Sequence, residues 1–377
     1  MSLKIPFGAR LSLAAVTGVA MVAIAACGGT PSTSSSPTPT PTTAVKVGNP
    51  SKAVTLSESG SSLVLPYLQA MVDPLKQAYP NITLAPAAGG SGKGISDAIA
   101  GTVIMGGSDA YLSDAQAQQN PDVLNIPIVV SAQAINYNLP GVTDLKLNGD
   151  VLAKIYQGTI TKWNDPAIAN LNSGVNLPAT TIVPVRRVES SGDTFLFTSL
   201  LSATNTDWSN GPSFGTTVTW PAAKGELTAT GNPGMVQVAK QTPGSIAYVG
   251  VSAESAAQTA GLGEAMIQNK AGKFLQPTQP AIAAAVNASA KTIPTDMRKS
   301  LIYAAGDQSY PIVNFEYMMV KRTQPDADTS LAVRTFLTFA INTNQGSSAT
   351  NLAAANFVAL PENVVQKVRG AINKIGP

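Results

Sequence analysis

Residues 81–113 read NITLAPAAGGSGKGISDAIAGTVIMGGSDAYLS. The spacing predicts a short strand, a glycine-rich loop, a helix that opens near Ser91, and a second apolar strand that ends at Asp109. Upstream, residues 53–80 repeat the order. An apolar strand and the loop Gly60-Ser61-Ser62 lead into a helical pattern of Leu63, Tyr67, Leu68, Met71, Leu75 and Tyr79. Downstream, residues 123–140, VLNIPIVVSAQAINYNLP, form a long, strongly apolar stretch suited to a buried strand. Strands alternating with helices make this an α/β protein, whose ligands are expected at the carboxyl ends of the strands.

Composition narrows the chemistry. The 377 residues suffice for one large or two ordinary domains. Charged residues are only 12% against 44% apolar, and the net charge of +3 includes Lys4 and Arg10 in the first ten residues. Nucleic acid is therefore not an expected partner, because phosphate-backbone binding needs clustered Lys and Arg. The chain has no histidine and one cysteine. Ser-His-Asp and Cys-His catalysis, intramolecular disulfides and His/Cys zinc sites are all excluded. No metal site and no cofactor is expected.

The lone cysteine has a place of its own. Lys4 and Arg10 precede the apolar residues 11–26, and Ile24, Ala25 and Ala26 lead directly to Cys27. That order reads as a signal peptide over residues 1–26 with Cys27 as the lipidated first residue of the mature chain. Residues 28–44 carry no charge and are dominated by Pro, Thr and Ser, a composition that stays extended and solvated. The segment 27–46 is thus expected to tether a globular body to the outer face of the cell membrane.

Three loops share one physical device, small residues running into a helix: Gly60-Ser61-Ser62-Leu63, Gly89-Gly90-Ser91-Gly92 and Ser190-Ser191-Gly192-Asp193. Helix starts expose unpaired N–H groups and the positive dipole end, and serine adds a hydroxyl. One such loop is an ordinary N-cap; three, with Arg187 before the last, suggest an anion cradle. Two nucleotide or hydrolase readings fail on spacing. A P-loop would need glycine where Ala87 stands and Ser or Thr where Gly94 stands, and a nucleophile elbow around Ser91 would need glycine in place of Lys93.

Taken together, residues 59–68, 89–114, 156–172, 185–202, 231–250, 310–320 and 360–372 resemble the phosphate-binding proteins that serve ABC-type phosphate importers. The resemblance runs in order across the whole body. It implies a two-lobed periplasmic-binding-protein-like fold with a hinge and a ligand cleft between the lobes. Lobe one would be residues 47–130 plus 305–377 and lobe two residues 131–304, with crossing strands in 126–138 and 310–320. It also implies inorganic phosphate as ligand, an ABC permease as partner, and a monomer with no enzymatic activity. Carried over by position, the phosphate contacts are Ser62, Leu63, Ser91, Asp109, Arg187, Ser191, Gly192 and Asp193, with Glu189 orienting Arg187. Asp109 would accept a proton that phosphate retains and sulfate lacks. Asp193 stands where many members have threonine, and is either a second proton acceptor or a helix cap. The alternatives from other classes are a secreted phosphatase using Ser91 or Ser191 with Lys93 as base, and a surface adhesin or sensor.

Overall fold

In the structure, a computed structural model describing residues 44–377, the opening stretch forms the strand Ile82–Ala85, the helix Ser91–Ala100 and the strand Met105–Ser108. The signal peptide, Cys27 and the tether as far as residue 43 lie outside the described residues. The first six strands are β1 (Val54–Gly60), β2 (Ile82–Ala85), β3 (Met105–Ser108), β4 (Val123–Tyr137), β5 (Lys146–Leu147) and β6 (Val183–Arg187). The others are β7 (Leu227–Ala229), β8 (Ser245–Gly250), β9 (Gly263–Glu264), β10 (Met266–Gln268), β11 (Phe274–Leu275) and β12 (Val313–Lys321).

Nine of these form one sheet in the order β2-β1-β3-β12-β4-β8-β6-β7, with β9 also on β4. The outer pairs β1/β2, β1/β3, β6/β8 and β6/β7 are parallel, while β12 and β4 run antiparallel to their neighbours. The long strand β4 changes partner midway. Residues Val123 to Ala132 pair with β12, and Gln133 to Tyr137 pair with β8. So the 126–138 segment passes from one half of the sheet to the other. The 310–320 segment differs, since β12 pairs only with β3 and the first part of β4. Just before β12 the chain bonds the far half directly: the Ile312 carbonyl accepts from Gln133 N at 3.0 Å, Tyr310 N donates to the Ala281 carbonyl at 3.1 Å, and Tyr310 Oη donates to the Gln133 carbonyl at 2.8 Å.

Burial explains the elements. The helix Leu65–Ala78 buries Tyr67, Leu68, Met71 and Leu75, the predicted stripe. Leu63 and Tyr79 flank it instead of belonging to it. Pro66 sits in the first turn, and the Leu63 N–H is turned away to Ser61 Oγ at 3.0 Å. The helix Gly192–Thr204 buries residues 192–198 without a break, so its first two turns lie under cover on all sides. Phe197 stacks on Tyr248 of β8 with centroids 4.6 Å apart, which fixes the direction in which this helix points.

Glu58 on β1 is buried, and its carboxylate accepts from Gly107 N at 3.0 Å and Ala87 N at 3.2 Å. Burial outweighs those donors and pushes its carboxyl up to about 8. Burial and the neighbouring Glu254 likewise push Glu264 up to about 8. A raised carboxyl favours the folded state while protonated, so its contribution is full below its unfolded value and is lost as pH rises to the folded one. The carboxyls held low, such as Asp150 and Glu189, have delivered their contribution by about pH 5. Unfolding free energy is therefore expected to fall between about pH 5 and pH 8, by up to about 1.4 kcal/mol per pH unit for each raised group, and the thermal midpoint with it. Glu58→Gln should flatten that fall in a melting series. A midpoint that holds or rises with pH contradicts the assignment.

Candidate anion site

The three loops do what their composition suggests. Each runs into a helix, and all three meet at the ends of β1, β3 and β6. From the first half of the sheet come Ser61, Ser62, Ser91 and Asp109, every one buried. From the other half come Arg187, Ser191, Gly192 and Asp193, also buried, with Glu189 at the margin.

Arg187 ends β6 and is 3% exposed. Its backbone N–H donates to Tyr248 Oη at 2.9 Å, and that hydroxyl also bonds Thr194 Oγ1 at 2.9 Å. One tyrosine thus ties the strand end to the first turn of the helix Gly192–Thr204. The guanidinium donates from Nε to Glu189 Oε1 at 2.7 Å, from Nη1 to Asp193 Oδ2 at 2.6 Å, and from Nη2 to Ser62 Oγ at 3.3 Å. Glu189 also accepts from Gly231 N at 2.8 Å. Burial raises the Glu189 carboxyl, but Arg187 and Gly231 outweigh it and hold it below the ordinary range. In the structure Glu189 thus holds Nε of the arginine from one side.

Asp193 is not the cap of its helix. The capping hydroxyl of this helix is Ser191 Oγ, which accepts from Thr194 N at 3.4 Å. Asp193 Oδ2 takes Arg187 and Asn232 Nδ2 (2.9 Å), and Oδ1 takes Gln133 Nε2 (3.0 Å). It is a second counter-ion to Arg187, held by two amides.

Gly192 shows how tightly the halves meet. A Cβ there would lie 2.3 Å from Asp109 Oδ2 and 2.4 Å from Ser91 Oγ, so only glycine allows this approach. Gly90 is similar, with φ +86° and Ser190 O only 2.5 Å from an added Cβ. Ser91 Oγ accepts from Asp109 N at 3.1 Å, and Ser61 Oγ donates to Asp109 Oδ1. Burial, then the charges of Glu316 and Asp193, pushes the Asp109 carboxyl well above the ordinary range. Beside the cluster a cavity of about 760 Å³ opens between Gly92 and Tyr111 on one side and Ser190 and Thr216 on the other.

Four residues of this cluster were not singled out from the sequence: Ser61, Gln133, Asn232 and Glu316. Asn232 donates from its backbone N to Ser62 Oγ (3.2 Å) and from Nδ2 to the same atom (3.3 Å), and accepts from Gly250 N at 2.8 Å. Gln133 and Glu316 did carry a signal, being polar residues inside otherwise apolar strands. Ser61 carried none that set it apart from Ser62.

The catalytic alternative finds no support in this geometry. Lys93 points to Asp97 in an exposed i, i+4 pair, away from Ser91, and Ser191 is engaged as a cap. Among the described residues no group of three His, Cys, Asp or Glu is placed to hold a metal ion.

Comparison with known proteins follows the same line. A family model described as a PBP superfamily domain matches residues 35–344. The phosphate-binding protein PstS of Methanocaldococcus jannaschii is 31% identical over 345 residues, covering 85% of this chain and 86% of that one. Phosphate-binding protein PstS 3 of Mycobacterium tuberculosis is 32% identical and covers 98% of both chains. A solved phosphate binding protein from Stenotrophomonas maltophilia has the same fold, with a TM-score of 0.62 at 21% identity, covering 85% of this chain and 93% of its own. The architecture is a mixed α/β fold of the periplasmic-binding-protein kind.

Proposed function

Because the chain belongs to the PstS family of phosphate-binding proteins within the PBP superfamily, we propose that it captures inorganic phosphate outside the cytoplasm and delivers it to an ABC-type permease. It is a transport receptor and not an enzyme. The observation that carries this reading is the convergence of one buried guanidinium, serine hydroxyls, two helix starts and a buried carboxyl that no cation pairs with directly. The first three favour any oxyanion. The last favours an oxyanion that brings its own proton, and so phosphate over sulfate.

In this reading Ser62, Ser91, Ser191 and the N–H groups of Leu63, Ser191 and Gly192 donate to phosphate, Arg187 supplies the charge, and Asp109 accepts. In the structure the Leu63 amide serves Ser61 Oγ and the Ser191 amide donates to the Thr216 carbonyl at 2.8 Å, so binding phosphate through them requires both to be released. Asp193 and Glu189 act on the anion through Arg187. Residues 47–130 with 305–377 form one lobe and 131–304 the other, acting as a monomer and hinging where β4 exchanges β12 for β8. Cys27 anchors the protein by lipid, and residues 28–46 are the tether.

Calorimetric titration of the body from residue 44 with phosphate and with sulfate tests the reading. Saturable phosphate binding with sulfate rejected is expected, and absence of phosphate binding overturns it. For the anchor, Cys27→Ala should move the protein from the membrane fraction to the medium; retention at the membrane excludes lipidation at that residue.

A further inference from the structure

β12 and β3 pair Tyr317 with Ser108, which brings their chain neighbours Glu316 and Asp109 alongside. The two carboxyl groups are in hydrogen-bond contact, and the residues are 0% and 2% exposed. Two carboxylates in contact away from water do not both ionise, so the pair shares a proton. The surroundings confirm the need. Burial raises both groups; Asp193 adds like charge to each; Arg187, the nearby cation, is spent on Glu189 and Asp193.

The oxygens are already sorted. Glu316 Oε1 accepts from Ser131 Oγ and from Asn314 Nδ2 (3.0 Å), whereas Oε2 is buried and receives no donor. Asp109 Oδ1 accepts from Ser61 Oγ, and Oδ2 faces Gly192, where the helix start points.

Resting on the phosphate reading above, we propose that Glu316 is the positioning residue that makes Asp109 an acceptor toward the ligand, by engaging the one proton the two carboxyls share. A buried, neutral Asp109 with a free hydrogen would donate as readily as accept, and sulfate would satisfy it. With that hydrogen held by Glu316, the lone pairs left on Asp109 only accept, so the ligand has to bring a proton. The pair's remaining negative charge rests on Glu316, among Ser131 and Asn314, and not against the anion. Selectivity thus depends on a residue that need not touch phosphate.

The test is calorimetry with phosphate and sulfate on wild type, Glu316→Gln and Glu316→Leu at neutral pH. Glutamine can hold Asp109 from either end of its amide, so its phosphate-to-sulfate preference should stay near that of wild type. Leucine frees the Asp109 hydrogen, and the preference should fall by roughly a hundredfold, mainly through tighter sulfate binding. A merely structural role predicts that both anions weaken together at an unchanged ratio, and that result overturns the proposal. Wild type that binds no phosphate overturns the functional reading and this one with it. Wild type that selects phosphate while Glu316→Leu keeps the ratio overturns this one alone. If the leucine variant does not fold, infrared difference spectra of wild type against Glu316→Gln decide. A change in the protonated-carboxyl stretch at neutral pH is expected, and a flat carbonyl region overturns the shared proton.

Discussion

Asp109→Asn is expected to bind sulfate nearly as well as phosphate, a loss of roughly 10⁴-fold in preference. Ser61 Oγ donates to Oδ1, so the asparagine oxygen is drawn to that side and its NH₂ faces Gly192 and the ligand. An amide nitrogen has two hydrogens and no lone pair to offer. One hydrogen serves Glu316 and the other is presented to the anion, which converts an acceptor into a donor. Phosphate then loses the partner for its proton and sulfate loses the carboxyl that repelled it. Parallel titrations with both anions give the ratio directly. Undiminished rejection of sulfate by this variant would move the origin of selectivity elsewhere in the site.

Arg187→Met should abolish useful phosphate binding. Removing one member of a buried, hydrogen-bonded charge group costs about 2–5 kcal/mol, roughly 30-fold to several thousand-fold in Kd. The loss has two parts here: the ligand loses its cation, and Asp193 and Glu189 are left as unpaired acids in the pocket wall. The variant should also melt at lower temperature, because uncompensated buried charge destabilises the fold. Combining Arg187→Met with Asp193→Asn separates the two effects. The double variant should recover much of the melting temperature and none of the affinity. Arg187→Lys should fall between, since one ammonium cannot meet Glu189, Asp193 and Ser62 at once with the geometry of a guanidinium. Wild-type affinity in Arg187→Met would remove this residue from the site.

Much of the fold was legible because it is written locally. The alternation around residues 81–113, the stripe of Tyr67, Leu68, Met71 and Leu75, and the apolar length of β4 are properties of consecutive residues, and hydrophobic burial forces them into strand, helix and strand. The three serine and glycine loops were legible for the same reason, since capping is a short-range matter. Where Leu63 fell outside its helix, a single serine hydroxyl had competed successfully for its N–H.

The sequence by itself determined an α/β body without histidine chemistry, three small-residue loops that run into helices, and Arg187 and Asp109 as the charged groups worth watching. Only the tertiary structure decided how those groups are paired. Asp193 becomes a counter-ion to Arg187 because β4 brings Gln133, and the helix Gly231–Gln241 brings Asn232, to its two oxygens. Asp109 acquires Glu316, some two hundred residues away, because β12 lies next to β3. Sheet order is set by which apolar faces pack, and nothing in the local spacing of Asp109, Gln133, Asn232 or Glu316 encodes that they meet. A carboxyl's role follows from its neighbours and its distance from water, and both are properties of the folded chain alone.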